Sequence, residues 1–374
     1  MTLGIDEKIN GVNLGNWLVL EKWMKPELFE DCGEEDEIWM HRTMEPEALE
    51  VLLKKHRDSY VTVEDFREIA RRGYNLVRIP VPYFIFGDLD GHPGCIEYLD
   101  KAFTWAQETG LHILLDLHTV PGSQNGYDNG GITGVCKWSK NPQAVEYSLT
   151  VLERLADRYR DEPMLYGIEV LNEPISWLVY ATAPSTGKAK NKQEAKGSGY
   201  VPLRFLKPFY REAYSRLRSK LRPEHVIVFH DGFRLGSWNR WFKREGMKNV
   251  ILDTHIYITA MELFVPIHAM WLYRLFVGYN AWLIRRVERH IPVVVGEWCL
   301  VNKRALTVKG EEAKRHVYRG VNDLQMAAWN ASAGQIYWNY QLLRDDTKTP
   351  RNYRTNEELE AWDLSRAWRH GWVS

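Results

Sequence analysis

Short apolar runs alternate with amphipathic segments along the whole chain. The runs are GVNLGNWL (11–18), NLVRIPV (75–81), HILLDLH (112–118), YGIEVLNEP (166–174), VIVFHD (226–231), VILDTHIY (250–257), PVVVGEW (292–298) and GQIYWNY (334–340). They are short and rich in β-branched and aromatic residues, which predicts strands rather than buried helices. Their near-continuous apolar reading is that of strands covered on both faces, as in a parallel sheet. Between them, TVEDFREIARRG (62–73) and NPQAVEYSLTVLERLADRYR (141–160) carry the helical period. Eight strand–helix units in an undivided chain predict a (β/α)8 TIM barrel. No repeat or proline-rich linker marks a second domain, so residues 1–374 read as one barrel.

The strands finish on polar residues. Their C-terminal tips carry Arg78, His118, Asn172 with Glu173, Asp231, His255 with Tyr257, Glu297, and Trp338 with Asn339. A charge at the end of a buried strand costs several kcal/mol unless it is paired or hydrogen-bonded. One such tip could be structural. So many at one end are better explained by chemistry, because in a barrel all the tips converge on the face where active sites are built. Glu173 on the fourth strand and Glu297 on the seventh then face each other across the mouth, as retaining glycosidases require. Glu169 lies four residues before Glu173, on the same side of the strand but deeper, and reads as a buried structural partner. Glu21 and Glu27 follow the first strand, where one of them can line the cleft; a solvated loop suits Glu27 better.

Composition narrows the function classes. The 374 residues are 45% hydrophobic and 26% charged, enough for a large core, and Lys+Arg and Asp+Glu are both 49. No net field therefore points to nucleic acid or to an anionic membrane surface. The 16 tryptophans and 19 tyrosines stand out: many must pack the core, but such an excess also suits stacking against sugar rings. HExxH, Walker and GxSxG patterns are absent, and hydrolysis by two facing carboxylates implies no metal or cofactor. The four cysteines, Cys32, Cys95, Cys136 and Cys299, are scattered singly without metal spacing. With an N-terminal stretch that has no apolar signal core, they predict a cytoplasmic enzyme. The most apolar stretch, 261–284, is interrupted by Glu262, Pro266, His268 and Arg274, which argues against a membrane span.

Two segments exceed a minimal barrel. Residues 180–202 are rich in Ala, Gly, Ser and Lys and predict a mobile loop with little to pack. Residues 258–290 carry Phe264, Trp271, Tyr273 and Phe276, more aromatic surface than one barrel-covering helix can hide. That surplus predicts a lid or aglycone subsite, or a contact for a homo-oligomer, against plain core packing.

In order along the chain, RIP (78–80), DLH (116–118), NEP (172–174), HIY (255–257) and GEW (296–298) resemble glycoside hydrolase family 5. GVNLGNWLVLEKWMKPELF (11–29) and DLHTVPGSQNGYDNGG (116–131) are similar to its exo-β-1,3-glucanase branch. The resemblance spans residues 10 to about 345. It implies Glu173 as acid/base and Glu297 as nucleophile, with Arg78, His118, Asn172, His255, Tyr257 and Trp338 binding or positioning the sugar. Arg78 and Tyr257 are expected to keep Glu297 ionised, while the charge of Glu297 raises the pKa of Glu173. The expected activity is retaining, exo-acting hydrolysis of short β-gluco-oligosaccharides or β-glucosides, with no nucleic-acid or membrane partner. A β-mannosidase acting on short oligosaccharides competes with it, differing only at the 2-hydroxyl. A catalytically inactive carbohydrate-binding barrel is the alternative from another class, although both carboxylates are present.

Overall fold

In the computed structural model, which describes residues 3–183, 185–343 and 359–373, eight parallel strands close into a barrel in sequence order. They are β1 (Ile9–Asn13), β2 (Leu76–Val81), β3 (His112–Leu117), β4 (Leu165–Glu169), β5 (Val226–His230), β6 (Val250–His255), β7 (Val293–Trp298) and β8 (Gly334–Tyr337). β8 pairs back to β1 through Ile9↔Gly334 and Val12↔Tyr337, so no edge is left open. Nearly every strand residue is buried, as sheet covered on both faces demands.

All eight expected strands form, but several stop sooner than their apolar runs. β1 ends at Asn13, β4 at Glu169 and β8 at Tyr337. The residues beyond remain buried and keep only single backbone bonds to neighbouring strands, such as Val170 N to Val228 O at 3.0 Å and Trp338 N to Trp298 O at 2.8 Å. Burial kept the apolar pattern going after the ladder had ended.

Outside the strands, helices hold to their sequence signals. Val63–Arg71 opens on a capping box between Thr62 and Asp65. Pro142–Tyr159 has proline in its first turn and Asn141 accepting from the amides of Gln143 and Ala144. Each buries one face against the barrel.

Inside, the barrel is layered. Leu76, Leu114 and Ile251 belong to an apolar cluster that includes Ile9, Val294 and Ile336. Two residues further along the same strands, and so on the same side, stand Arg78, Asp116 and Asp253. An apolar floor thus carries a charged layer towards the C-terminal mouth.

The segment 180–202 packs, despite a composition with few apolar residues. Trp177–Thr182 and Lys192–Ala195 are helical, and Ala189 and Ala195 are buried. Arg42 grips Glu194 through two hydrogen bonds of 2.9 Å, and Lys190 pairs with Glu34. Small side chains allow close approach here, and the ion pairs tie the segment to Glu34 and to Arg42 of the helix Glu37–Thr43. The segment 258–290 forms the helices Ile258–Glu262 and Met270–Glu288, and the second lays Tyr273, Val277, Ala281, Ile284 and Val287 on the barrel. Phe276 is partly packed against the core, whereas Phe264 and Trp271 stand 65% and 55% exposed. Core packing accounts for only half of the aromatic surplus.

Candidate active site

Arg78 organises the charged layer. Rising from β2 and wholly buried, it donates from Nε to Glu169 Oε2 at 2.7 Å and from Nη1 to Asn13 Oδ1 and Glu297 Oε1 at 2.9 and 3.0 Å. Its Nη2 reaches Asn172 Oδ1 at 3.0 Å and Asp116 Oδ2 at 3.1 Å. A single guanidinium fork therefore ties β1, β2, β3, β7 and the loop after β4 together. Glu169 is a structural partner of this arginine, as its depth in the strand suggested.

Glu297 stands near the end of β7. Its second oxygen accepts from the Tyr257 hydroxyl at 2.7 Å and lies 3.3 Å from His255 Nδ1. Gly296 beside it must be glycine, because a Cβ there would fall within 2.1–2.4 Å of the Asp253 carboxylate, which accepts the Gly296 amide at 2.7 Å.

Glu173 sits four residues past β4, where the chain turns sharply. Its φ is +43°, a left-handed conformation that costs a non-glycine residue about 1–3 kcal/mol and occurs mainly at functional sites. Gln124 holds the turn by donating to the carbonyls of His118 and Asn172 at 2.8 and 2.9 Å. The Glu173 carboxylate accepts from Asn129 Nδ2 at 2.9 Å through Oε2 and meets His255 Nδ1 at 2.8 Å through Oε1. Glu173 and Glu297 thus share one imidazole nitrogen, at 2.8 and 3.3 Å. The two oxygens concerned are therefore no more than about 6 Å apart.

His255 also faces Asp253 through Nε2, at 3.3 Å. Burial disfavours charge on this imidazole, but Glu297, Asp253 and Glu173 around it outweigh burial and raise its pKa well above the usual value. Burial likewise pushes Glu173 up, yet the hydrogen bond and charge of His255, with His230 and Asn129, bring its carboxyl down to about 2. Glu297 moves the other way: burial raises it, the negative Glu173 adds to that, and His255 and Arg78 only partly offset it. This corrects the expectation of a raised Glu173 and a Glu297 lowered by Arg78 and Tyr257. The sequence could not reveal that an imidazolium sits closer to the first carboxylate than to the second.

His118, just past β3, bonds Asp116 through Nδ1 at 2.5 Å and stacks on Trp338 with ring centroids 5.7 Å apart. Its Nε2 is 3.4 Å from Asn172 Nδ2. All eight residues singled out in the sequence, Arg78, His118, Asn172, Glu173, His255, Tyr257, Glu297 and Trp338, therefore meet at one mouth.

A cavity of about 480 Å³ opens there. Glu173, Glu297, Tyr257 and Trp338 line it together with Glu21, Trp23, Tyr127, Asp128, Asn129, Leu263, Leu359 and Trp362. Glu27 is not among its walls. Glu21 accepts from Trp23 Nε1 at 2.8 Å, and burial together with Asp128 raises its pKa well above the usual value. Asp128 is raised as well, foremost by burial. Asp128 and Asn129 come from the glycine-rich loop after β3, whose glycines are the signal that could have found them. Gly130 is required where a Cβ would meet Ser123 Oγ and Asn125 Oδ1 at 2.3 and 2.4 Å. Asn125 in turn positions Asn129, donating to its Oδ1 at 2.9 Å. His230, also missed, stands edge-on to His255 at 4.4 Å.

Among the described residues, two sets of groups could hold a metal ion, Glu173–His230–His255 and Glu169–Asp253–His255, each with ligating atoms within 4.8 Å. His255 belongs to both, and its two ring nitrogens are already turned to Glu173 and Asp253.

Residues 51–341 match the family described as Cellulase (glycosyl hydrolase family 5). The chain belongs to glycosyl hydrolase family 5. This family 5 enzyme is a glycoside hydrolase, and its relatives make it a β-glycosidase. It is 34% identical to the probable glucan 1,3-beta-glucosidase A of Emericella nidulans, over 98% of this chain and 84% of that protein. The protein of the same name from Aspergillus niger is 33% identical over 78% of this chain, and the match spans 64% of that protein. Among solved structures, the rutinosidase from Aspergillus niger superposes with a TM-score of 0.76 at 20% identity over 99% of both chains, a likeness of fold.

Proposed function

We propose that this family 5 enzyme is a retaining, exo-acting β-glucosidase that hydrolyses short β-gluco-oligosaccharides or β-glucosides. The observation that carries the proposal is the pair Glu173 and Glu297 on one imidazole nitrogen, close enough for double displacement. In the first step a Glu297 oxygen attacks the anomeric carbon while the leaving oxygen takes a proton from Glu173. In the second, Glu173 takes a proton from water, which displaces Glu297 from the sugar and restores the starting stereochemistry.

The free enzyme holds the proton for the first step on the His255–Glu173 pair, mainly on the imidazole. Moving it along the 2.8 Å hydrogen bond makes Glu173 a neutral acid when a glycosidic oxygen displaces water beside it. Asn172, whose Oδ1 accepts from Arg78, would donate from Nδ2 to the 2-hydroxyl, and Trp338 in the cavity wall would lie under the sugar.

The exo reading rests on cavity size and on the polar groups in its wall. About 480 Å³ is near the small end for ligand sites, and Glu21, Asp128 and Asn129 supply acceptors and a donor for the hydroxyls of a terminal sugar. The glucosidase reading rests on the named activity of the Emericella relative. We infer a cytoplasmic location from Cys32, Cys95 and Cys136, none of which forms a disulfide.

The test is a panel of nitrophenyl β-glycosides with the products' anomers followed by proton NMR. β-Glucoside should be cleaved fastest with β-glucose released first. A faster β-mannoside would overturn the sugar assignment, and α-glucose as first product would overturn retention.

A further inference from the structure

Seven of the large apolar side chains exposed among the described residues lie between positions 263 and 282. Leu263, Phe264 and Ile267 stand on the loop after β6, and Trp271, Leu275, Tyr279 and Trp282 on the helix Met270–Glu288. The spacing of the helical four, i, i+4, i+8 and i+11, puts them on one face. The opposite face already covers the barrel, so the helix has two apolar faces and the chain covers only one. A contiguous exposed patch of this kind on a soluble enzyme marks a docking surface.

Charge identifies the occupant. Arg274, Arg285, Arg286 and Arg289 share the exposed face, and among the described residues none of them makes an ion pair. The segment's two acids turn inward: Glu262 accepts from Lys303 N at 2.9 Å and from the Tyr273 hydroxyl, and Glu288 accepts from Val293 N at 3.4 Å. A twofold contact between copies would set this patch against itself, placing arginines opposite arginines with no acid to neutralise them. An anionic bilayer surface matches both features. Indole, phenol and leucine groups settle at the headgroup–acyl boundary while guanidinium groups meet phosphates. No described helix is long and apolar enough to cross a membrane, so the helix would lie in the surface plane. The balance of 49 basic and 49 acidic residues conceals this local segregation.

We propose that the 263–289 face docks on anionic membrane surfaces. Leu263 belongs both to this face and to the wall of the cavity. Docking therefore brings the mouth to the bilayer, where β-glycosides with apolar aglycones are presented. That last step rests on the glycosidase reading; docking does not.

The test uses the whole protein with sucrose-loaded vesicles of phosphatidylcholine alone or mixed equally with phosphatidylglycerol. Co-sedimentation should be at least tenfold stronger with phosphatidylglycerol and should weaken as salt rises. Arg285→Gln with Arg286→Gln should reduce it about tenfold, and Trp271→Ala with Trp282→Ala should abolish it. Near-ultraviolet circular dichroism checks that the variants are folded, and turnover of a soluble aryl β-glucoside should be unchanged in both. Equal or absent binding to the two vesicle types would overturn the proposal, as would binding indifferent to the arginine changes. So would a dimer in sedimentation velocity that the tryptophan changes dissociate without any vesicle binding. Vesicle binding without any glycosidase turnover would sink the activity reading and leave docking standing.

Discussion

His255 Nδ1 lies 2.8 Å from Glu173 Oε1, and this contact, against the effect of burial, helps to draw the Glu173 carboxyl down. It places an imidazolium between three carboxylates and makes Glu173 an anion in the free enzyme. On the proposed mechanism, the acid is then a two-residue unit sharing one proton, not an isolated raised carboxyl.

The pH dependence of kcat/KM follows from the signs. Activity should rise with pH as Glu297, whose pKa is raised, ionises to become the nucleophile. It should fall again as the His255–Glu173 pair, whose imidazole pKa is raised, loses its proton. His255→Asn removes the cation. Glu173 then has to carry the proton as an ordinary buried carboxyl that titrates lower than the imidazolium, and Glu297 loses a positive neighbour. The bell should narrow from both sides, and an alkaline limb that stays put in the variant would contradict the shared proton.

Arg78 predicts a stability effect. Arg78→Met leaves Asp116, Glu169 and Glu297 buried without their common partner. Removing one side of a buried ion pair costs about 3–5 kcal/mol. Urea denaturation should show a loss of that order, and the midpoint should recover partly at acid pH, where the orphaned carboxyls protonate.

Glu21 predicts the opposite trade. Its carboxylate is buried against Asp128 and raised by that burial, so ionisation there opposes folding. Glu21→Gln should raise the melting temperature by about 1 °C, corresponding to about 1 kcal/mol in a chain of this size. It should also lower kcat/KM by roughly 10- to 100-fold, the worth of a hydrogen bond to a charged group of about 1.5–3 kcal/mol. Melting curves and kinetics on an aryl β-glucoside read both, and a variant that lost stability without losing activity would remove Glu21 from the sugar site.

The barrel and the eight clustered residues were legible because one rule generates both: a parallel strand buried on two faces reads as an apolar run, and its tip points to the mouth. Asp128, Asn129 and Trp362 follow no such rule. The first two are carried by a glycine-shaped loop whose path depends on Ser123 and Asn125, and Trp362 reaches the cavity from far along the chain after β8. The direction of the Glu173 shift was hidden because it depends on which oxygen lies nearest one ring nitrogen. In 258–290 the aromatic surplus was visible, but the sorting of Tyr273 inward and Trp271 outward depends on how the helix is rotated against the barrel.

The central claim is the division of labour between the two glutamates, and azide rescue tests it most directly. Glu297→Ala and Glu173→Ala should each lower kcat on an aryl β-glucoside with a good leaving group, the second by about 10²–10⁴. With azide, Glu297→Ala should yield the α-glucosyl azide, because the anion enters from the face the nucleophile vacated. Glu173→Ala should yield the β-glucosyl azide, formed when azide opens the covalent intermediate from the opposite face. The same anomer from both variants, or near-native turnover in either, would contradict the account.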